Sequence, residues 1–79
     1  MTSLYSVDLG TEEIDGFQLD YTRGQSGDDY LYHSVQIGRS QHVLSRITVY
    51  KPGLTDDEAV IAIRRRALEW IDDFRQRVG

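Results

Sequence analysis

The chain has 79 residues, a formal net charge of −4 and no cysteine. This length allows one domain with a small core, and the lack of cysteine excludes disulfides, thiolate metal sites and a cysteine nucleophile. Near Met1 there is no apolar signal core, and no stretch approaches the roughly 20 apolar residues of a membrane span. We therefore expect a single cytoplasmic domain with no membrane contact.

Residues 1–15 are predicted to form an acidic N-terminal segment. Tyr5, Val7 and Leu9 alternate with polar residues, which is compatible with a short extra edge strand. The stretch from Gly10 to Gly16 carries three acids between its glycines and is predicted to be a loop.

A three-stranded antiparallel sheet is predicted over residues 16–50. In its first strand, Phe17, Leu19 and Tyr21 alternate with polar residues, the pattern of a half-buried strand. Residues 23–29 contain two glycines and two aspartates and are predicted to be a loop. If the first strand lies at a sheet edge, Asp20 would guard it against pairing with another chain.

The second and third predicted strands cover residues 30–38 and 42–50. Each places its odd-numbered apolar residues on one face, together with His33 in the second strand. Residues that oppose each other across antiparallel strands share a side of the sheet, so odd positions must pair with odd positions. This requirement predicts a three-residue connection or a β-bulge within residues 38–41.

A long amphipathic helix is predicted over residues 55–78. Thr55 and Glu58 have the spacing of a capping box, which fixes the N-terminus. Apolar residues then recur every three or four positions: Val60, Ile63, Ala67, Ile71, Phe74 and Val78, bordered by Ile61, Leu68 and Trp70. Arg64 and Arg75 fall among them. Either their stems cover the edge of the core while the guanidinium groups reach water or a carboxylate, or they bind a phosphate or carboxylate ligand.

These elements predict a two-layer α+β domain, in which the three-stranded sheet packs against the single C-terminal helix in the order βββα. Over residues 16–78 this layout resembles the DNA-binding domains of plant AP2-type factors and the arm-binding domains of phage integrases. The resemblance concerns layout alone, because no diagnostic motif accompanies it. It implies that the outer sheet face, which carries Arg46, would enter a DNA groove.

Enzyme function is not predicted. His33 and His42 are the natural acid–base candidates at neutral pH, but His33 is placed on an apolar face and His42 beside a turn. The sequence contains no nucleophile elbow, phosphate-binding loop or EF-hand spacing, and the acids at residues 56–58 are explained by helix capping. We predict no catalytic residue, metal or cofactor.

The outer sheet face is the best candidate for a binding surface. It combines tyrosine, leucine and arginine, which are types common in protein interfaces. We predict a protein-interaction domain that associates with itself through this face or through a sheet edge. The predicted contact residues are Tyr30, Tyr32, Leu44, Arg46 and Tyr50.

Two other functions fit the charge distribution. Residues 31–54 contain three basic residues and no acid, so Arg39, Arg46 and Lys51 would contact phosphates in a nucleic-acid-binding module. The net negative charge disfavours this alternative, since basic residues supply most of the nonspecific affinity. A weaker possibility is that the acids of residues 8–29 imitate nucleic acid.

Overall fold

A computed structural model describes residues 5–26, 30–51 and 53–78. The elements, in chain order, are β1 (Tyr5–Ile14), β2 (Phe17–Ser26), β3 (Tyr30–Arg39), β4 (His42–Val49) and α1 (Asp56–Val78). The strands form one antiparallel sheet in the order β1-β2-β3-β4, and α1 packs on one of its faces. The predicted α+β class and C-terminal helix are confirmed, but the sheet has four strands: the three that were predicted and, before them, a strand that was predicted only as a possible short addition.

The additional strand is β1, which runs through most of the predicted loop. It continues to Ile14, and the chain then reverses at Asp15 and Gly16, whose φ angles are 52° and 84°. Positive φ at both positions is what a type I′ hairpin turn requires, and Asp-Gly is a favoured sequence for it. The prediction of a loop was wrong for residues 10–14, because acidic residues do not prevent a strand from pairing, and only Asp15 and Gly16 form a turn.

A β-bulge distorts β1 near its middle. The register shifts between Asp8 and Gly10, so Leu9 is an extra residue without a partner in β2. Gly10 adopts a φ of 118° and donates its N–H to Asp8 Oδ1 at 2.9 Å. Because β1 covers β2, Asp20 does not guard an edge. The two edges of the sheet are β1 and β4.

The second strand is also longer than predicted. Residues 23–26 pair with β3 as far as Ser26 opposite Tyr30, whereas a loop was predicted there. Residues 27–29 lie outside the described residues.

The predicted pairing of odd positions across β3 and β4 is confirmed for the part of β4 from Ser45 to Val49. Val35 lies opposite Ile47, and His33 lies opposite Val49. A two-residue turn at Ser40 and Gln41 connects the strands, and it would by itself pair odd with even positions. A β-bulge at the register shift between Ile37 and Gly38 restores the pairing of odd with odd positions. A bulge is therefore present as predicted, but its extra residue lies in β4 between Val43 and Ser45 and not within residues 38–41.

The core lies between α1 and the inner sheet face. Phe17 packs edge-on against Trp70 and Phe74, with ring centroids 6.4 and 5.7 Å apart. Ile61, predicted to border the apolar stripe, is instead 65% exposed. Among the residues whose side chains the structure describes, the buried apolar ones are Phe17, Leu19, Tyr21, Val35, Ile37, Ala59, Ile63, Ala67 and Ile71.

The capping box at the start of α1 forms as predicted. The Glu58 N–H donates to Thr55 Oγ1 at 3.2 Å, and the Thr55 N–H donates to Glu58 Oε1 at 3.0 Å. Asp56 and Asp57 add negative charge at the positive end of the helix dipole.

Two arginines connect α1 to the β1 side of the sheet. Arg64 Nε donates to Glu12 Oε1, and Arg75 Nη1 donates to Asp15 Oδ2, both at 2.8 Å. Of the two interpretations of these arginines, the structure supports the one in which the guanidinium groups reach carboxylates.

Candidate functional site

The predicted contact residues are concentrated along β4. Leu44 and Arg46 belong to this strand, and Tyr50 follows its last residue. Tyr32 lies beside Tyr50 on the neighbouring strand β3. Tyr30 opens β3, and its side chain lies outside the described part of the chain.

An aromatic pair occupies one end of the outer face. The rings of Tyr32 and Tyr50 have centroids 5.8 Å apart and planes tilted by 51°, and Tyr50 is 65% exposed. Tyr32 lies over Gly24, where a Cβ atom would stand 2.2 Å from Tyr32 Cζ. Gly24 therefore provides the space for the pair. A glycine inside a strand often marks close packing, but the composition of residues 23–29 predicts a loop and so hides this signal.

Polar side chains fill the middle of the outer face. The hydroxyls of Thr22 and Ser34 share a hydrogen bond of 2.8 Å. Arg46 Nη2 donates to Gln36 Oε1 at 2.9 Å. Because Gln36 belongs to β3, this bond holds the Arg46 guanidinium over the sheet and away from the free edge of β4.

Two apolar residues lie at the other end of β4. Beyond the bulge Val43 faces Gly38 while Ser45 faces Ile37, which leaves Leu44 as the additional residue. Val43 is 61% and Leu44 is 38% exposed. The prediction that Val43 belongs to the core-facing row was wrong, because it treated the strand as regular up to the turn.

The two edges of the sheet differ in their protection against pairing. Unpaired backbone groups of an edge strand attract another strand, and bulges or inward-pointing charges prevent this. In β1 both devices are present, since it has the bulge at Leu9 and the carboxylate of Glu12 on the inner face. In β4 the sequence HVLSRITV contains no acid, and its one arginine points outward. Ser45 to Val49 therefore form a regular, open edge.

The basic residues of the nucleic-acid alternative do not share a surface. The Arg39 guanidinium stands over the Phe17 ring, 5.2 Å from its centroid, and so lies on the helix side of the sheet. Arg46 lies on the outer face. Lys51 follows the opposite end of β4, eight strand residues from the turn beside Arg39, which corresponds to roughly 27 Å.

The core-facing histidine has a carboxylate partner that was not predicted. His33 is 4% exposed, and its Nε2 lies 3.1 Å from Asp56 Oδ1. Arg23 Nη1 donates to Asp56 Oδ2 at 2.7 Å. Asp56 thereby ties the first turn of α1 to β2 and β3. His33 is the hydrogen-bonded core histidine that its strand position favoured, whereas His42 is exposed beside the turn.

Hydrogen bonds lower the pKa of three carboxyl groups. The bond with His33, followed by Arg23, lowers the pKa of Asp56. The Tyr21 hydroxyl, followed by Arg64, lowers the pKa of Glu12, and the Thr55 backbone N–H lowers the pKa of Glu58. Burial, followed by the hydrogen bond to Glu12, raises the pKa of Tyr21.

Stability is expected to fall in acid because of these carboxyl groups. Their ordinary pKa values are 3.8 for Asp56 and 4.5 for Glu12 and Glu58, and each is lowered in the folded state. Such a group contributes stability that is complete above its ordinary pKa and is lost as pH falls through the lowered value. We expect similar urea midpoints at about pH 7 and 6 and a clear decrease by about pH 3. A midpoint independent of pH over this range would contradict the expectation.

Within the described ranges, no group of three or more potential ligands from His, Cys, Asp and Glu is placed to hold a metal ion. Nor does this part of the chain contain a helix that is both long and apolar enough to cross a membrane. The chain has no significant match among protein-family models, curated proteins or solved structures.

Proposed function

We propose that this protein is a non-enzymatic protein-interaction domain that binds a partner by strand addition at β4. The observation that carries the proposal is the contrast between a protected edge at β1 and an open one at β4. Strand addition uses main-chain hydrogen bonds for affinity and alternate side chains for specificity.

The side chains on both faces of β4 suit this role. On the outer face, Leu44 and Tyr50 are exposed apolar contacts at the two ends of the strand. On the inner face, Ile47 and Val49 are only half-buried, although they pack against the core. An added strand would cover the side chains on both faces. Backbone pairing and the burial of apolar surface would therefore both stabilise the complex.

Nucleic-acid binding through the sheet is the second candidate. The exposed ring of Tyr50 and the guanidinium of Arg46, which both lie on the outer face, are the residue types of a stacking platform. The dispersal of Arg39, Arg46 and Lys51 supports the protein partner over this alternative. Binding of a DNA duplex that weakens steeply with salt would favour nucleic acid, because affinity would then depend on the release of counterions.

The proposal is tested by copying the protection of β1 onto β4. Ser45 lies on the inner row of β4 opposite Ile37. In Ser45→Lys, an approaching strand would have to bury the ammonium group or displace it. We expect 12-residue peptides, selected from a random displayed library on the wild-type protein, to bind the variant at least tenfold more weakly. Binding is measured by fluorescence anisotropy.

Ser6→Lys is the matched control, because it makes the same substitution at an exposed position of the protected edge strand β1. Peptide affinity should remain within about twofold of the wild type. Circular dichroism of both variants checks that each is folded. Equal affinities for Ser45→Lys and the wild type would show that the peptides bind elsewhere, and the proposal would fail.

A further inference from the structure

We infer that the partner at β4 is a second copy of this chain, with the two β4 strands paired antiparallel about a twofold axis at Ile47. This inference rests on the function proposed above and identifies its partner. The product is a continuous eight-stranded sheet with β1 at both outer edges. Both remaining edges are then the protected ones, so the assembly closes as a dimer.

Parity and strand geometry select the register. Opposed residues must share a sheet face, so a twofold axis pairs odd positions with odd positions. The regular part of β4, from Ser45 beyond the bulge to Val49 at the strand end, has Ile47 at its centre. An axis at Arg46 would place two arginines directly opposite each other, which is destabilising. An axis at Thr48 would leave only three residues of each strand in the pairing.

The register centred on Ile47 matches the side chains of both rows. On the outer face, Leu44 opposes Tyr50 of the second copy, an aliphatic–aromatic pair. Arg46 opposes Thr48, and the two Arg46 side chains stand diagonally, each bonded to Gln36 of its own chain. On the inner face, Ile47 opposes Ile47 of the second copy. The partly exposed core residues at β4 of the two copies therefore contact each other.

The surface area of the chain is large enough to supply an interface with a second copy. The solvent-accessible area is 5895 Å² for a mass of 9.1 kDa. A monomer of this mass is expected to expose about 4,900 Å², so the excess is about 1,000 Å². An interface of standard size buries about 800 Å² per partner. The radius of gyration of 13.3 Å likewise exceeds the roughly 11.6 Å expected for 79 residues.

Cysteine cross-linking tests the register directly, because the chain has no cysteine of its own. In Ile47→Cys the two thiols face each other, and opposed Cα atoms of about 4.5–5.5 Å separation allow a disulfide. Under mild oxidation at micromolar protein we expect most of this variant to become a covalent dimer on non-reducing gels. Ser45→Cys is the control on the same row, since its thiols would be about 13 Å apart along the strands.

Introducing a charged side chain at position 48 provides a second test, and this position lies on the outer face, away from the core. Thr48→Lys places an ammonium group opposite Arg46 of the second copy, and Thr48→Glu places a carboxylate there. By sedimentation equilibrium we expect the lysine variant to raise the dimer Kd about tenfold and the glutamate variant to lower it several-fold, because the twofold axis repeats each pair. The wild type should show a mass near 18 kDa, about twice that of one chain.

The outcomes separate this inference from the function on which it rests. Selective cross-linking of Ile47→Cys together with opposite shifts for the two Thr48 variants would support the dimer. A monomer at all concentrations, or equal cross-linking of the two cysteine variants, would overturn it. If that monomer still loses peptide binding in Ser45→Lys, strand addition stands and only the second copy is wrong. If the protein is a monomer and Ser45→Lys does not change its affinity for the peptides, both proposals are wrong.

Discussion

Replacing Ile63 by alanine is expected to lower the free energy of unfolding by about 2–5 kcal/mol. Ile63 is fully buried at the centre of the interface between α1 and the sheet. Alanine would leave a cavity that the neighbouring strands fill only partly, because they are held by their backbone pairing. The total stability of such a domain is about 5–15 kcal/mol, so a substantial fraction of molecules would unfold in mild urea.

Ile61→Ala is the matched control on the same helix. Ile61 is 65% exposed, so the same substitution should change the free energy of unfolding by no more than about 0.5 kcal/mol. Urea titrations followed by the fluorescence of Trp70, which packs against Phe17, report both values. Equal losses for the two variants would mean that α1 does not present its Ile63 side to the sheet.

Asp56→Ala is expected to destabilise the protein through His33. The substitution removes the acceptor of Arg23 and the partner of a histidine that is 4% exposed. A buried polar group that loses its hydrogen bond costs about 1–3 kcal/mol, and here the group is the His33 imidazole. Helix capping by Thr55 and Glu58 remains, so the loss should be seen in tertiary stability and not in helix content.

Asp57→Ala separates this contact from the helix dipole. Asp57 is exposed and lies in the same first turn of α1, so both substitutions remove one negative charge there. The urea midpoint should fall clearly for Asp56→Ala and only slightly for Asp57→Ala. If the two midpoints coincide, the dipole explains the effect and the contact with His33 contributes little. Double substitution of Asp56 and His33 should then be additive.

If the proposed dimer forms, it also addresses the small size of the core. A domain of 79 residues buries a limited fraction of its surface, and association is one way to add apolar burial. Ile47 and Val49, which α1 covers only partly, would become interior residues of the joined sheet. Stability of the wild type should then rise with protein concentration, as mass action requires.

Local patterns by themselves determined the helix and the pairing of β3 with β4. The capping box at Thr55 and the apolar period of α1 depend on neighbours within a few residues, which the sequence displays directly. The bulge between β3 and β4 followed from parity, because a strand alternates its faces strictly. The Asp15-Gly16 turn was equally local. The sequence predicted β1 only as a possible short strand at residues 5–9, and that turn indicates its continuation to Ile14.

Only the tertiary structure decided which surfaces are available. The contacts of Arg64 with Glu12 and of Asp56 with His33 join residues 52 and 23 positions apart, so no local pattern reveals them. Which edge is open depends on the presence of β1 as a fourth strand and on the sheet face to which the Glu12 side chain points. The separation of Arg39 from Arg46 across the sheet has the same origin. Sequence patterns describe one element at a time, whereas edges and faces exist only once the elements are assembled.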